Sequence, residues 1–217
     1  MKRSGITGLA VLLFALQLQA QAPSFGMEES RFSQQGLQGW KQKQFRGETQ
    51  YRLIDAASGE VEAVSEGSAS ALYRPMKVDL ERTPWLHWRW QKRLPIEPGD
   101  ENRKQGDDFV ARVYVVKKGG LLFWKTLAIN YVWSADHRKG EAWDNPFAGR
   151  NARMLSVRDA TDPAGQWFEE KRNVAEDFQR LFGQSPGRID GIAIMTDSDN
   201  SGLRAEALYG DLWFSAD

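Results

Sequence analysis

The sequence predicts an all-β protein, a two-sheet antiparallel β-sandwich of jelly-roll type with one amphipathic helix. Three observations carry this. Apolar and polar residues alternate with a period of two through short runs rich in β-branched and aromatic side chains. Clusters of Gly, Pro, Asn and Asp separate these runs, as turns between strands require. One stretch in the C-terminal part of the chain switches to a helical period.

Taken in order, strands are expected at 39–45, 49–55, 61–64, 69–75, 85–91, 109–117, 121–132, 153–157, 188–195 and 205–214. So many short strands, with no alternation of strand and helix, suit two sheets packed face to face. Within 173–183, Val174, Phe178, Leu181 and Phe182 share one helical face, Asn173 and Glu176 make a capping pair, and Gly183 is a stop signal. That helix should cover an edge or end of the sandwich. No internal repeat or Pro/Ser/Gly-rich linker interrupts the chain, so residues 21–217 read as one domain.

Residues 1–20 read as a secretory signal. Lys2 and Arg3 form a positive start, 6–16 an apolar run, and small residues follow at Ala20 and Ala22. The run is shorter than the roughly 20 apolar residues needed to span a bilayer. Cleavage is expected after Ala20, because a later cut would place Pro23, with its locked φ and missing N–H, at the first mature position. No Cys follows to carry a lipid. The mature protein is therefore expected to be periplasmic or secreted, with no stable membrane anchor.

Composition removes much chemistry. Lys plus Arg (29) equals Asp plus Glu (29), and loss of Lys2 and Arg3 leaves 27 basic residues against 29 acidic, a net charge of −2. No global positive field exists to hold nucleic acid. With Cys at 0, thiol nucleophiles, disulfides and Cys-ligated metals are excluded, and two histidines, His87 and His137, cannot build a His-rich cage. The motifs of serine hydrolases, P-loop enzymes and His-Glu-x-x-His metalloproteases are also missing. No organic cofactor is expected.

Several segments taken in order resemble a known family. They include Gln38-Gly39-Trp40, Thr49-Gln50-Tyr51-Arg52-Leu53, Ser68-Ala69-Ser70 and Thr83-Pro84-Trp85-Leu86-His87-Trp88-Arg89-Trp90. Further on come Gly106-Asp107-Asp108-Phe109-Val110-Ala111-Arg112-Val113-Tyr114-Val115 and Ile129-Asn130-Tyr131-Val132-Trp133-Ser134. The last are Glu170-Lys171-Arg172-Asn173-Val174 and Thr196-Asp197-Ser198-Asp199-Asn200-Ser201-Gly202. Together they resemble the bacterial DUF3047 family across nearly all of the mature chain. The resemblance implies no assigned activity. The implied strand order, with an Asp-Asn loop before a final strand, is similar to the jelly-roll sandwiches of carbohydrate-binding modules, an analogy of fold.

Alternation along 85–91 puts Trp85, His87 and Arg89 on one face and Leu86, Trp88 and Trp90 on the other. The second set is the more apolar. In the plainer reading it fills the interior, each indole N–H finding a partner. In the functional reading Trp88 lines a concave sheet and stacks on a sugar ring. The same alternation gathers Asp108, Arg112 and Tyr114 on one face, with Asn130 on the next strand and Glu170 and Arg172 two residues apart near the helix start. Aligned, these would form a polar patch whose guanidinium forks suit carboxylates or paired hydroxyls. An ordinary solvated face with surface ion pairs explains them equally.

Asp197-Ser198-Asp199-Asn200-Ser201-Gly202 opens like a calcium loop, with oxygens at positions one, three and five and Gly at six. Leu208 stands where the bidentate Glu would be, and strands flank the loop, so an EF-hand is rejected. A structural Ca²⁺ on Asp197 and Asp199 is the one metal the sequence leaves open, against an Asx-rich turn. The expected function is binding of carbohydrate, or another polyhydroxylated or anionic envelope component, in a concave aromatic and polar groove. Two alternatives stand beside it: an envelope protein-interaction module, and a glycoside hydrolase using Asp108 and Glu170 as its carboxylate pair.

Overall fold

In this computed structural model, which describes residues 30–97, 99–120 and 125–217, the alternating runs form twelve strands. They are β1 (Lys41–Arg46), β2 (Gln50–Asp55), β3 (Glu60–Glu66), β4 (Ala69–Asp79), β5 (Trp85–Leu94) and β6 (Arg112–Lys117). The remainder are β7 (Leu127–Trp133), β8 (Ala142–Asn145), β9 (Gly149–Arg158), β10 (Phe168–Asn173), β11 (Arg188–Asp197) and β12 (Arg204–Ser215). Two helices accompany them, α1 (Phe32–Gln35) and α2 (Val174–Phe182).

One sheet has seven strands in the order β1-β4-β11-β6-β7-β9-β8, and the other has five in the order β10-β5-β12-β3-β2. From β4 to β6, and again from β9 to β12, every connection crosses from one sheet to the other. This repeated crossing makes the sandwich a jelly roll. One pair departs from the expected antiparallel rule: β7 and β9 run parallel. The chain leaves β7, lays β8 down at the sheet edge, and returns as the second arm of a hairpin between them.

Two strands escaped the sequence reading. β8 is only four residues, Ala-Trp-Asp-Asn, too short to show a period. β10 reads Phe-Glu-Glu-Lys-Arg-Asn, and its charges hide a strand that lies at the edge of the five-stranded sheet. Edge strands tolerate such charge and are protected by it. The expected strand 109–117 starts later, at Arg112, while 121–124 and the signal region 1–20 lie outside the described residues. No helix among the described residues is long and apolar enough to cross a membrane.

The inward faces of both sheets meet in a continuous core. Leu86, Trp88 and Trp90 of β5 point into it, together with Val113 and Val115 of β6, Ile129 and Tyr131 of β7, and Ile192 and Ile194 of β11. The Trp88 ring lies edge-on to Trp90 at 5.5 Å and against Tyr131 at 5.2 Å, and Trp90 reaches Trp133 at 5.7 Å. Such aromatic contacts add about 0.5–1.5 kcal/mol per pair to the burial of the rings. The interior reading of this face is thus correct, with one amendment. Trp90 donates its indole N–H to Glu170 Oε1 at 3.0 Å, but the Trp88 N–H has no partner among the described residues.

Helix α2 forms where its signals placed it. Asn173 Oδ1 accepts from the Glu176 backbone N–H at 3.2 Å, and Asn173 Nδ2 donates to Glu176 Oε1 at 2.9 Å, closing the cap in both directions. Gly183 ends the helix at φ 71°, a left-handed conformation that favours glycine. Val174 and Phe178 enter the core.

Candidate functional site

The outward face of the seven-stranded sheet is where the candidate residues meet. Register places Tyr73, Ala193, Tyr114, Asn130 and Met154 side by side across β4, β11, β6, β7 and β9. The neighbouring row holds Ala71, Met195, Arg112 and Val132. Ala128 and Ala152 pair one step to the other side. Small side chains in the middle of a sheet leave a hollow, and taller residues at its margins wall it. Ala69, Ala71, Ala193 and Met195 are accordingly buried although they face away from the core.

Two cavities, of about 440 and 360 Å³, occupy this face and share Phe45 and Tyr114 in their walls, making one groove. Phe45 from β1 and Phe147 from the β8–β9 turn flank it and are 60% and 57% exposed. Each carries a lysine, Lys43 Nζ and Lys104 Nζ both lying 5.2 Å from the ring centre. Large rings left open to solvent beside a hollow offer apolar surface to whatever occupies it.

Asn130 lies at the bottom of the larger cavity. Its side chain is only 1% exposed, yet neither Oδ1 nor Nδ2 has a partner among the described residues. A buried amide without partners costs about 1–3 kcal/mol, so such a group marks a place where something else supplies the bonds. Beside it, Tyr114 makes one weak contact, its O–H to Met195 Sδ at 3.4 Å. Burial raises the Tyr114 pKa, so the phenol is neutral.

Arg112 lines the same cavity but is already engaged. Its Nε donates to Asp197 Oδ1 at 2.8 Å, Nη2 pairs with Asp197 Oδ2, and Nη1 lies 3.4 Å from Asp107 Oδ1. The guanidinium also rests 4.4 Å from the Phe109 ring centre. Burial opposes its charge, and Asp197 and Asp107 more than offset that, so Arg112 stays cationic. Burial pushes Asp197 up to about 8 against the pull of Arg112. The sequence expectation of a free fork for ligand is corrected: the fork is a structural pair, and its partner is Asp197 with Asp107.

The other expected members lie elsewhere. Asp108 is fully buried and accepts from the Asn200 N–H at 3.2 Å, Asn200 Nδ2 at 3.0 Å and the Ser201 N–H at 2.6 Å, which ties down the loop before β12. Glu170 and Arg172 sit on β10 of the five-stranded sheet, paired with Trp88 and Leu86 and turned inward. Glu170 accepts from Arg158 Nε at 2.5 Å, and burial raises its pKa. Arg172 binds Asp177, which also receives the Tyr131 O–H at 2.9 Å. Asp108 stands in the loop before β6 and Glu170 on β10, and each is held by its own partners, so the expected carboxylate pair shares none of them. Trp88 is buried and offers no ring face to a ligand.

Asp108, Asp197 and Asp199 do converge, one oxygen of each lying within 4.8 Å of the others. The donor set nevertheless fits a cation poorly, because Arg112 already engages both oxygens of Asp197 and the loop engages Asp108. The loop is tied down from outside by Asp108, which accepts its backbone N–H groups at Asn200 and Ser201.

Of the expected ligand residues, then, the fold unites Arg112, Tyr114 and Asn130. Phe45, Phe147 and the alanine floor were missed. Their signal was present in a weak form: Phe45 is the one apolar residue of β1, and Phe147 the one aromatic in an Asn-Pro-Phe-Ala-Gly turn. Alanine carries no sequence signal for a groove floor, since its meaning depends on what stands beside it.

Fold and site together define a β-sandwich with an aromatic-walled groove across its larger sheet. The chain belongs to the family described as protein of unknown function, DUF3047, whose profile spans residues 38–213. Comparison with curated protein sequences finds no match. Among solved structures, it is similar to a family 11 carbohydrate-binding module of a cellulosomal cellulase from Clostridium thermocellum, at 10% identity, over 88% of this chain and 94% of that one, with a TM-score of 0.45. It is also similar to endoglucanase cel12A from Rhodothermus marinus, at 12% identity over 81% and 95% of the two chains, TM-score 0.44. A third is the xyloglucanase domain of NopAA from Sinorhizobium fredii, at 7% identity over 82% and 93%, TM-score 0.46. These are likenesses of fold.

Proposed function

We propose that this protein is an exported binding module that holds a carbohydrate of the cell envelope, or a similar polyhydroxylated ligand, in the groove of its seven-stranded sheet. The observation that carries this is Asn130. A bare amide at the bottom of a cavity, with exposed Phe45 and Phe147 at the margins, pairs hydrogen-bond recognition with ring stacking. Sugars ask for both, because a pyranose presents hydroxyls at its rim and C–H groups on its faces. Binding by a preformed groove needs no acid and base, consistent with Asp108 and Glu170 each being held by its own partners.

Calorimetric titration against a panel of soluble glycans tests this. Wild-type protein should bind at least one of them, and Phe45→Ala, Phe147→Ala and Asn130→Ala should each weaken that binding without loss of fold. A neutral hydrogen bond contributes about 0.5–1.5 kcal/mol, so Asn130→Ala should cost several-fold to tenfold in affinity. A wild-type protein that binds nothing across the panel, or variants that bind as tightly as wild type, would reject the groove as the site.

A further inference from the structure

We infer that the groove recognises N-acetylated amino sugars, with the acetamido group seated at Asn130; the inference rests on the carbohydrate-binding reading above and deepens it. The reason lies in what the floor offers. Around Asn130 the cavity is lined by Ala128, Ala152 and Met195, with Phe147 at its wall. Ala128 precedes Asn130 by two residues on the same face of β7, and Ala152 stands opposite Ala128 on β9. A methyl-lined hollow therefore adjoins one free amide.

An unsubstituted glucan fits this badly. Each of its rings carries hydroxyls around the rim, and every hydroxyl taken into the groove must exchange water for a protein partner or be left unpaired, which is the costly case. Two of the charged side chains that line the cavity are already engaged. Arg112 is held by Asp197 and Asp107, and Arg46 Nη1 donates to the Asp199 carbonyl at 2.7 Å. Asn145 Oδ1 accepts the backbone N–H groups of Phe147 and Ala148 at 3.0 and 2.9 Å.

An acetamido substituent matches point for point. Its methyl group fills the hollow over Ala128 and Ala152. Its carbonyl accepts from Asn130 Nδ2, and Asn130 Oδ1 is left to accept an N–H or O–H from the same sugar. Its ring then lies toward Phe147, whose exposed face takes the C–H groups. At Asn130 the floor supplies one apolar hollow and one donor–acceptor pair, with the weakly held Tyr114 O–H beside them for a ring hydroxyl.

The decisive comparison needs no variant: chitohexaose against cellohexaose on the wild-type protein by calorimetry, two β-1,4 chains that differ at the acetamido position. Chitohexaose should bind at least tenfold tighter. Ala152→Leu, which fills the hollow, should remove most of that preference, and Asn130→Ala should lower chitohexaose affinity several-fold. Equal affinity for the two chains, or tighter cellohexaose binding, would overturn the acetamido inference and leave the carbohydrate-binding reading standing. Failure of both chains and of every other glycan would bring down the parent reading as well. Dodecanoate binding that neither sugar displaces would reassign the apolar floor to an acyl chain and overturn the inference.

Discussion

At the scale of single residues, Asn130 and Arg112 lie on the same face yet do opposite things. Asn130 has hydrogen-bonding capacity and no partner among the described residues, whereas Arg112 is engaged by Asp197, Asp107 and Phe109. The second arrangement has a consequence for pH. Asp197, at about 8, sits well above the ordinary carboxylate value near 3.9 because of burial. A carboxyl whose folded pKa is raised binds a proton more readily in the native state, so stability falls as pH rises between about 4 and 8. Asp107, Asp199, Glu101 and Glu170, all raised by burial, add to the same slope, while His87, lowered by burial, opposes it near pH 6.5. Urea unfolding should therefore show a higher midpoint at pH 5 than at pH 8, with a flatter difference in Asp197→Asn. A variant slope as steep as wild type would mean that Asp197 stays ionised on Arg112 throughout.

Among the elements, α2 and the loop ahead of β12 show how local chemistry holds the edges of the sandwich. The reciprocal Asn173–Glu176 cap satisfies an N-terminal N–H of α2, whose Val174 and Phe178 enter the core. Asn173→Ala should cost about 1 kcal/mol in urea unfolding, the usual worth of such a cap, and no change would show that packing alone sets the helix start. In the loop, Asp108 receives Asn200 and Ser201 while Arg112 engages both oxygens of Asp197. A calcium ion would have to displace the guanidinium to use Asp197. Melting curves with excess Ca²⁺ and with chelator should accordingly coincide. A stabilisation approaching 2.7 kcal/mol at a hundredfold excess over Kd would instead show that Asp108, Asp197 and Asp199 hold the ion.

Seen as a whole molecule, the sandwich divides its aromatics between three surfaces. Trp88, Trp90 and Trp133 fill the interior. Phe45 and Phe147 wall the groove of the seven-stranded sheet. The outward face of the five-stranded sheet carries half-buried Trp85 and Trp213, the first under Lys171 at 4.8 Å and the second stacked on His87 at 4.9 Å. These indoles are half-buried under their neighbours, whereas Phe45 and Phe147 keep more than half of their surface exposed beside the groove. We propose that the molecule works outside the cytoplasm, a reading that rests on the signal pattern of residues 1–20. N-terminal sequencing of the protein recovered from the periplasm or medium should begin at Gln21, and a product that retains Met1 in the membrane would reject export.

What the sequence determined by itself was whatever depends on neighbours along the chain. Period two, turn residues and the Asn173-to-Gly183 helix signals act within a few residues, so the sandwich, most of its strands and the helix were legible, while the side to which Trp88 turns stayed open between two readings. The alternation also placed Arg112 and Tyr114 on one face of their strand, and Asn130 joined them only if the next strand aligned. Only the tertiary structure decided how strands pair. It set β9 parallel to β7, gave Arg112 to Asp197 from β11, and tied Asp108 to the loop before β12 while seating Glu170 on β10. Pairing across a sheet joins residues remote in the chain, and no local period encodes it. For the same reason the groove floor was illegible: Ala128 and Ala152 are small side chains anywhere, and become a binding surface only beside an unpartnered Asn130 and between Phe45 and Phe147.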